Sequence, residues 1–245
     1  SAFGYVNEAS GLASSALGFR NKAANENASA VGYGNSAGGV ASSAFGFSNV
    51  AKVDYASAFG YSNEASGLAS SAVGFRNKAA SENASAVGYG NNANALAASA
   101  VGYNNTAGGV GSSTIGYNNT ATNENASAFG YGNTAGGLAS SAFGFSNTAS
   151  GDNANAFGYN NTASGNYTNA IGYNNQAQAF AASAIGYQNR ATASAVSASA
   201  VGRSNEVSNE YANAFGALNK ASGSSSSAFG VNNNASGSFA SALGY

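Results

Sequence analysis

The sequence contains no histidine, cysteine, methionine, proline or tryptophan, and only 7% of its 245 residues are charged. Each absence closes a route. Without cysteine there are neither disulfides nor thiolate metal ligands, and the redox setting stays open. Without histidine the commonest general base and metal ligand is missing. Every serine sits in a repetitive background with no base to activate it. The nine carboxylates are scattered among variable positions. No catalytic residues, metal or other cofactor are therefore expected. A formal net charge of −1 supplies no basic stripe, which argues against a nucleic-acid partner. No apolar run approaches the roughly 18 residues of a membrane-spanning helix, and no leader-like charged and apolar pair opens the chain. This segment is expected to make no membrane contact. The chain opens at Ser1-Ala2-Phe3-Gly4-Tyr5 and closes at Leu243-Gly244-Tyr245, inside repeats in both cases, so a fragment of a longer protein is expected.

What is present is repetition. Glycine, alanine, serine and asparagine dominate, a bias that would suggest disorder were the aromatics not evenly spaced. A glycine preceded by an apolar residue recurs from Gly4 through Gly18 and Gly32 to Gly186, then from Gly202 to Gly244. Every interval is 14 residues except Gly186 to Gly202, which is 16. A fixed short period over a whole chain is the mark of a solenoid. Residues 1–35 match 57–91 except at Val6/Ser62, Leu17/Val73 and Asn25/Ser81, as expected of growth by copying units.

Counting from that glycine as zero, position −1 is apolar (Phe3, Leu17, Val31 and onward) and −2 is alanine except at Thr114. Position −3 is Ser or Asn, and −4 is Ala, Ser or Thr. Position +1 is Tyr or Phe until Arg203, Ala217 and Val231. Position +3 is Asn throughout, and +5 is Ala except at Val207. A glycine in every repeat would cost a helix about 1 kcal/mol each relative to alanine. Two strands of five to six residues and two tight turns fill 14 residues better, with each coil stacked on the next at about 4.8 Å by parallel pairing. The predicted fold is all-β, a parallel β-solenoid of about eighteen 14-residue coils. It forms a single repeat domain over 1–245, with a two-residue insertion (Ala191 to Ser199) that makes a bulge or longer loop.

Side chains alternate faces along a strand. The segment +3 to +8 alternates fixed with variable positions, as expected of one buried and one wet face. The segment −4 to +1 is restricted at every position, so both its faces are expected to be covered: one by its own coil, the other by a second copy of the chain. Either the small residues line the coil interior and the −1 ladder meets an oligomer axis, or the reverse holds. The asparagines at +3 have two readings, a structural ladder or a polar binding stripe. The positions are Asn7, Asn21, Asn35, Asn49, Asn63, Asn77, Asn91, Asn105, Asn119, Asn133, Asn147, Asn161, Asn175, Asn189, Asn205, Asn219 and Asn233. The ladder is favoured, because an amide fixed by backbone geometry needs no ligand.

The run Ala-Ser-Ala-Phe-Gly-Tyr-x-Asn-x-Ala, as in Ala126 to Ala135, resembles the head repeat of YadA-like trimeric autotransporter adhesins, and the likeness spans all 245 residues. The sequence departs from that pattern at −3, where Ser or Asn stands in place of the frequent Val, and at +1, where aromatics are unusually regular. The resemblance implies a left-handed parallel β-roll and a homotrimer, displayed beyond a stalk and a barrel anchor at the outer membrane of a Gram-negative bacterium. It also implies attachment to a host surface receptor or extracellular-matrix protein. Collagen- or fibronectin-type ligands, Ig-like cell-adhesion receptors of the carcinoembryonic-antigen-related class, and self-aggregation all fall within that expectation.

Aromatic departures from the repeat are the candidates for receptor contact: Tyr55, Tyr167 and Tyr211 at +9, Phe180 at +8, and Arg203 where the aromatic series breaks. The plainer reading of the +8 and +9 residues is that they cap coil ends or pack between protomers. Glu8 with Lys22 and Glu64 with Lys78 sit one rung apart at +4 and suggest surface ion pairs. Two other functions compete: a passive fibre or spacer segment with recognition elsewhere, and an ice-binding solenoid. The latter is disfavoured because the threonines at +4 (Thr106, Thr120 and others) lack a second rank at +6.

Overall fold

In the computed structural model, which describes residues 1–245, the chain is all-β with no helix and has 35 strands. It divides into two compact units, Ser1–Thr122 and Asn123–Tyr245. Each unit is a parallel β-solenoid with about 14 residues to the coil, as the period requires. Nine long strands stack in the first unit, from Ala2–Tyr5 to Ser113–Tyr117, and nine in the second, from Ser127–Tyr131 to Ser241–Gly244. Register never slips within a unit: Ala86 pairs with Ala100, Val87 with Val101 and Gly88 with Gly102.

The two strands of a coil are unequal, and this corrects the expectation of two five- to six-residue segments. The long strand covers −3 to +1, as in Ser85–Tyr89, but the short one holds only +4 and +5, as in Asn92–Ala93. Backbone bends take the rest. The residue at +2 adopts a left-handed conformation in every coil (Arg20 φ 55°, Arg76 φ 52°, Leu218 φ 59°), and so does +9 (Asn27 φ 55°, Tyr55 φ 59°, Tyr211 φ 55°). These bends turn the chain through the two edges of a flat coil and leave little room for a second long strand.

The motif glycine has a separate reason. Gly88 has φ 119°, a region that side-chain-bearing residues avoid. A Cβ there would overlap the backbone carbonyl oxygen of Gly102 in the next coil. That same oxygen accepts the Asn91 side-chain amide at 2.7 Å, so glycine clears the path by which the asparagine reaches it.

The interior is one methyl layer deep. Alanines at −2 and +5, such as Ala86 and Ala93, are fully buried, together with −4 residues such as Ala84 and Ser70. Small residues line the coil, and the −1 ladder lies on the outer face of the long strand. A serine at −4 also ties the adjacent turn: Ser42 Oγ donates to Gly39 O at 2.8 Å. The insertion is absorbed in a loop carrying an extra turn, with Ala195 N–H bonded to Thr192 O at 2.9 Å, and Ile185 still pairs with Val201 across it.

Candidate binding surfaces

The asparagines at +3 form a column in each unit, Asn7 to Asn119 and Asn133 to Asn233, buried throughout except at the half-buried ends Asn7 and Asn233. Asn91 is typical. Its Nδ2 reaches Asn77 Oδ1 at 3.0 Å, Val87 O at 2.9 Å and Gly102 O at 2.7 Å. Its Oδ1 accepts the backbone N–H and Nδ2 of Asn105, both at 3.0 Å. Two amide hydrogens and two lone pairs are fully used, and the column presents nothing to a ligand.

The outer face of the long strands is where apolar side chains meet water. Residues at −1 stay partly exposed: Val101 36%, Ile115 46%. Beside them runs the +1 row. Its rings stack from Tyr5 to Tyr117 in the first unit with centroids 4.7–5.1 Å apart. A second stack runs from Tyr131 to Tyr187 in the second unit at 4.8–5.0 Å. The stacking follows from the rung spacing, since identical rings on in-register parallel strands stand one strand apart. Ring faces are therefore spent on each other, and edges face outward. The −1 row is nine rungs tall in each unit, and the +1 aromatic row is nine rungs tall in the first unit and five in the second, where Arg203 interrupts it. Together they exceed the scattered apolar exposure of an ordinary soluble surface.

Tyr55, Tyr167, Phe180 and Tyr211 stand exposed at the +8/+9 turns. Only Tyr167 and Phe180 come together, edge to face at 5.4 Å; Tyr55 and Tyr211 stand apart, on coils of their own. Arg203 is exposed at the end of the aromatic row, where it pairs in register with Tyr187 and Ala217. These residues do not converge on one site, and no cavity indents the surface.

On the +4 face Lys22 and Glu8 form an ion pair at 3.3 Å. Glu64 and Lys78 face each other in register without one. Sequence reasoning missed a longer cluster, in which Glu206 accepts Arg190 at 3.6 Å and Lys220 at 3.5 Å. The signal was available, because all three residues hold position +4 in successive coils.

The YadA head domain repeat, a two-copy unit, matches residues 9–35, 37–63, 65–91, 81–105, 107–133, 135–160, 149–175 and 221–245. This chain belongs to the YadA head repeat family. Its matched residues cover more than half of the sequence. The unmatched stretch 176–220 holds the insertion and the end of the aromatic row, the places where the repeat is altered. No individual curated protein matches the chain. YadA heads are adhesin-type structural domains of bacterial surface proteins, a family of trimers that bind host matrix.

Proposed function

We propose that this YadA head segment is a homotrimeric adhesin head, projected from the outer membrane of a Gram-negative bacterium and attaching it to host cells or extracellular matrix. Three left-handed rolls stand side by side, with the outer faces of their long strands turned to a common axis. The observation that carries this reading is the pair of apolar rows at −1 and +1, half-exposed in a single chain along each unit. Burying apolar surface stabilises by about 25 cal/mol per Å², so a face this long favours association, and three copies of one face close about an axis without leaving an open edge.

With few charges, contacts to a partner rest on shape, hydrogen bonds and aromatic edges, and binding varies weakly with salt. Collagen- or fibronectin-type matrix proteins and Ig-like adhesion receptors are the ligand classes to test, and self-aggregation belongs to the same set. Tyr55, Tyr167, Phe180 and Tyr211 are the side chains this reading places outward on the assembly. The test has two steps. Light scattering in solution should return the mass of three chains, and a solid-phase assay should then show saturable binding to at least one of these ligands. A three-chain particle that binds none of them supports a passive spacer instead, and a stable single chain overturns the assembly.

A further inference from the structure

Each long strand runs between two edges of its coil, the turn at +8/+9 where it begins and the bend at +1/+2 where it ends. Charge is sorted between those edges. Position +8 carries Glu26, Asp54, Glu82, Glu124, Asp152 and Glu210 and no cation, while +1/+2 carries Arg20, Arg76 and Arg203 and no carboxylate. Each of these arginines shares its coil with a glutamate: Arg20 with Glu26, Arg76 with Glu82, Arg203 with Glu210. The third pair lies outside the duplicated stretches 1–35 and 57–91, so copying alone does not account for the pattern. The remaining arginine, Arg190, is already paired within the chain. Two of the other +8 carboxylates are also in use, since Asp54 and Asp152 accept the backbone N–H of Val40 and Leu138 at 2.7 and 2.9 Å. Glu124, whose coil has Asn118 at +2, is the one left without either.

Within one chain the members of each pair stand at opposite ends of a five-residue strand, about 16 Å apart at about 3.3 Å per residue. Arg20 and Arg76 lie over the rings of Phe19 and Phe75 at 5.1 Å, and none of the three arginines has an ion-pair partner in the chain.

We propose that these pairs close between copies of the chain. The +1/+2 edge of each protomer meets the +8 edge of the next at the same coil, and Arg20–Glu26, Arg76–Glu82 and Arg203–Glu210 ion pairs lock the axial register. The proposal rests on the side-by-side assembly above. Three sheets facing one axis form a closed triangle, and at every corner the end of one long strand adjoins the start of the next, a head-to-tail contact that closes as a ring. From +2 to +8 the chain climbs about six fourteenths of a 4.8 Å rung, or ~2 Å, well within side-chain reach. A uniform repeat otherwise leaves register loose, because sliding one chain by one coil exchanges apolar rungs for near-identical ones. The +8 row prevents this. A one-coil slip that sets Leu12 beside Arg20 carries Glu26 from about 2 Å to about 7 Å along the axis, which desolvates a guanidinium with no partner. In a closed ring a slipped chain meets one of its two corners this way.

The chain has no cysteine, so engineered thiols report without background. The variant carrying both Arg76→Cys and Glu82→Cys is oxidised and run on a non-reducing gel. Covalent dimers and trimers are expected, since a disulfide needs Cα atoms within about 7 Å and the two positions cannot meet in one chain. Arg76→Cys combined with Leu96→Cys, a full coil further along the axis and about 7 Å away before any lateral offset, should stay uncrosslinked. Charge reversal gives a second measure: Arg76→Glu or Glu82→Arg alone should weaken assembly about tenfold across three corners, and the double reversal should restore it. Absence of crosslinks at 76 and 82 in a particle of three-chain mass overturns this corner contact alone. Crosslinking of 76 with 96 equal to that of 76 with 82 overturns register locking. A single-chain mass for the unmodified protein overturns the corner contact and the assembly together.

Discussion

Asn91 shows why one residue type holds position +3 in every coil. Its amide donates to Asn77 Oδ1 in the coil before, to the carbonyl of Val87 in its own coil and to that of Gly102 in the next, and accepts the backbone N–H of Asn105, so it joins three coils through a single side chain. Aspartate has the shape but no hydrogens to donate, and alanine leaves buried carbonyls and a buried N–H without partners. Each orphaned group costs about 1–3 kcal/mol. Asn91→Ala is therefore expected to lower unfolding free energy by at least about 3 kcal/mol, read as a fall in denaturant midpoint, and Asn91→Asp by no less. The converse case is Asn92, whose Oδ1 is buried without a partner at a +4 position that holds threonine in the next two coils, Thr106 and Thr120. Asn92→Thr should leave stability unchanged or raise it by up to about 1 kcal/mol. The same logic separates two glycines. Gly88→Ala forces a Cβ into the carbonyl of Gly102 at φ 119°, and a loss of about 3 kcal/mol or more is expected. Gly34, at φ 63° with Ser48 Oγ 3.6 Å from a built Cβ, should accept asparagine for less than about 1 kcal/mol, as Asn104 and Asn118 already do at the same position.

At the scale of the coil, stability comes less from apolar burial than from repetition of hydrogen bonds, because an interior of alanines removes about one methyl group per position from water. The bends are where the design is loosest. Leu218 occupies the left-handed +2 position at φ 59° with an exposed apolar side chain, and asparagine tolerates that conformation better. Leu218→Asn is expected to raise the denaturant midpoint by roughly 1 kcal/mol of stability. The period, the place of the long strand and the asparagine column are legible in the sequence, because each imposes a restricted residue type on one position. Which face of the long strand turns inward is left open there, and the burial of Ala86 beside exposed Val87 decides it. The unequal strands were not legible. Residues as different as Arg20, Ser62 and Leu218 carry the same left-handed bend, and a position that accepts any side chain gives no compositional sign of its backbone. The candidate contacts at Tyr55, Tyr167, Phe180 and Tyr211 were recognisable as departures from the repeat, but their scatter over separate coils emerges only once the coils are stacked.

For the whole molecule, the decisive quantity is the free energy held in the −1 and +1 rows, since the coil interior is complete without them. Val87, Val101 and Ile115 project from the long strand on the side away from the alanines, so changing them alters no interior contact. A charge placed in this row separates folding from assembly. In a single chain a lysine at 101 extends its stem along neighbouring rungs and keeps its ammonium in water. In three chains packed on these faces, the same substitution brings three ammonium groups toward one axis at one level, and each must be desolvated without a counterion. Val101→Lys should therefore retain the β-sheet circular dichroism of the unaltered chain, with unfolding free energy per chain changed by less than about 1 kcal/mol. Its mass in light scattering should fall from three chains toward one at micromolar concentration. Loss of β-structure together with mass would mean that the coil cannot stand without its neighbours, and an unchanged three-chain mass would place the contact on a face other than this one.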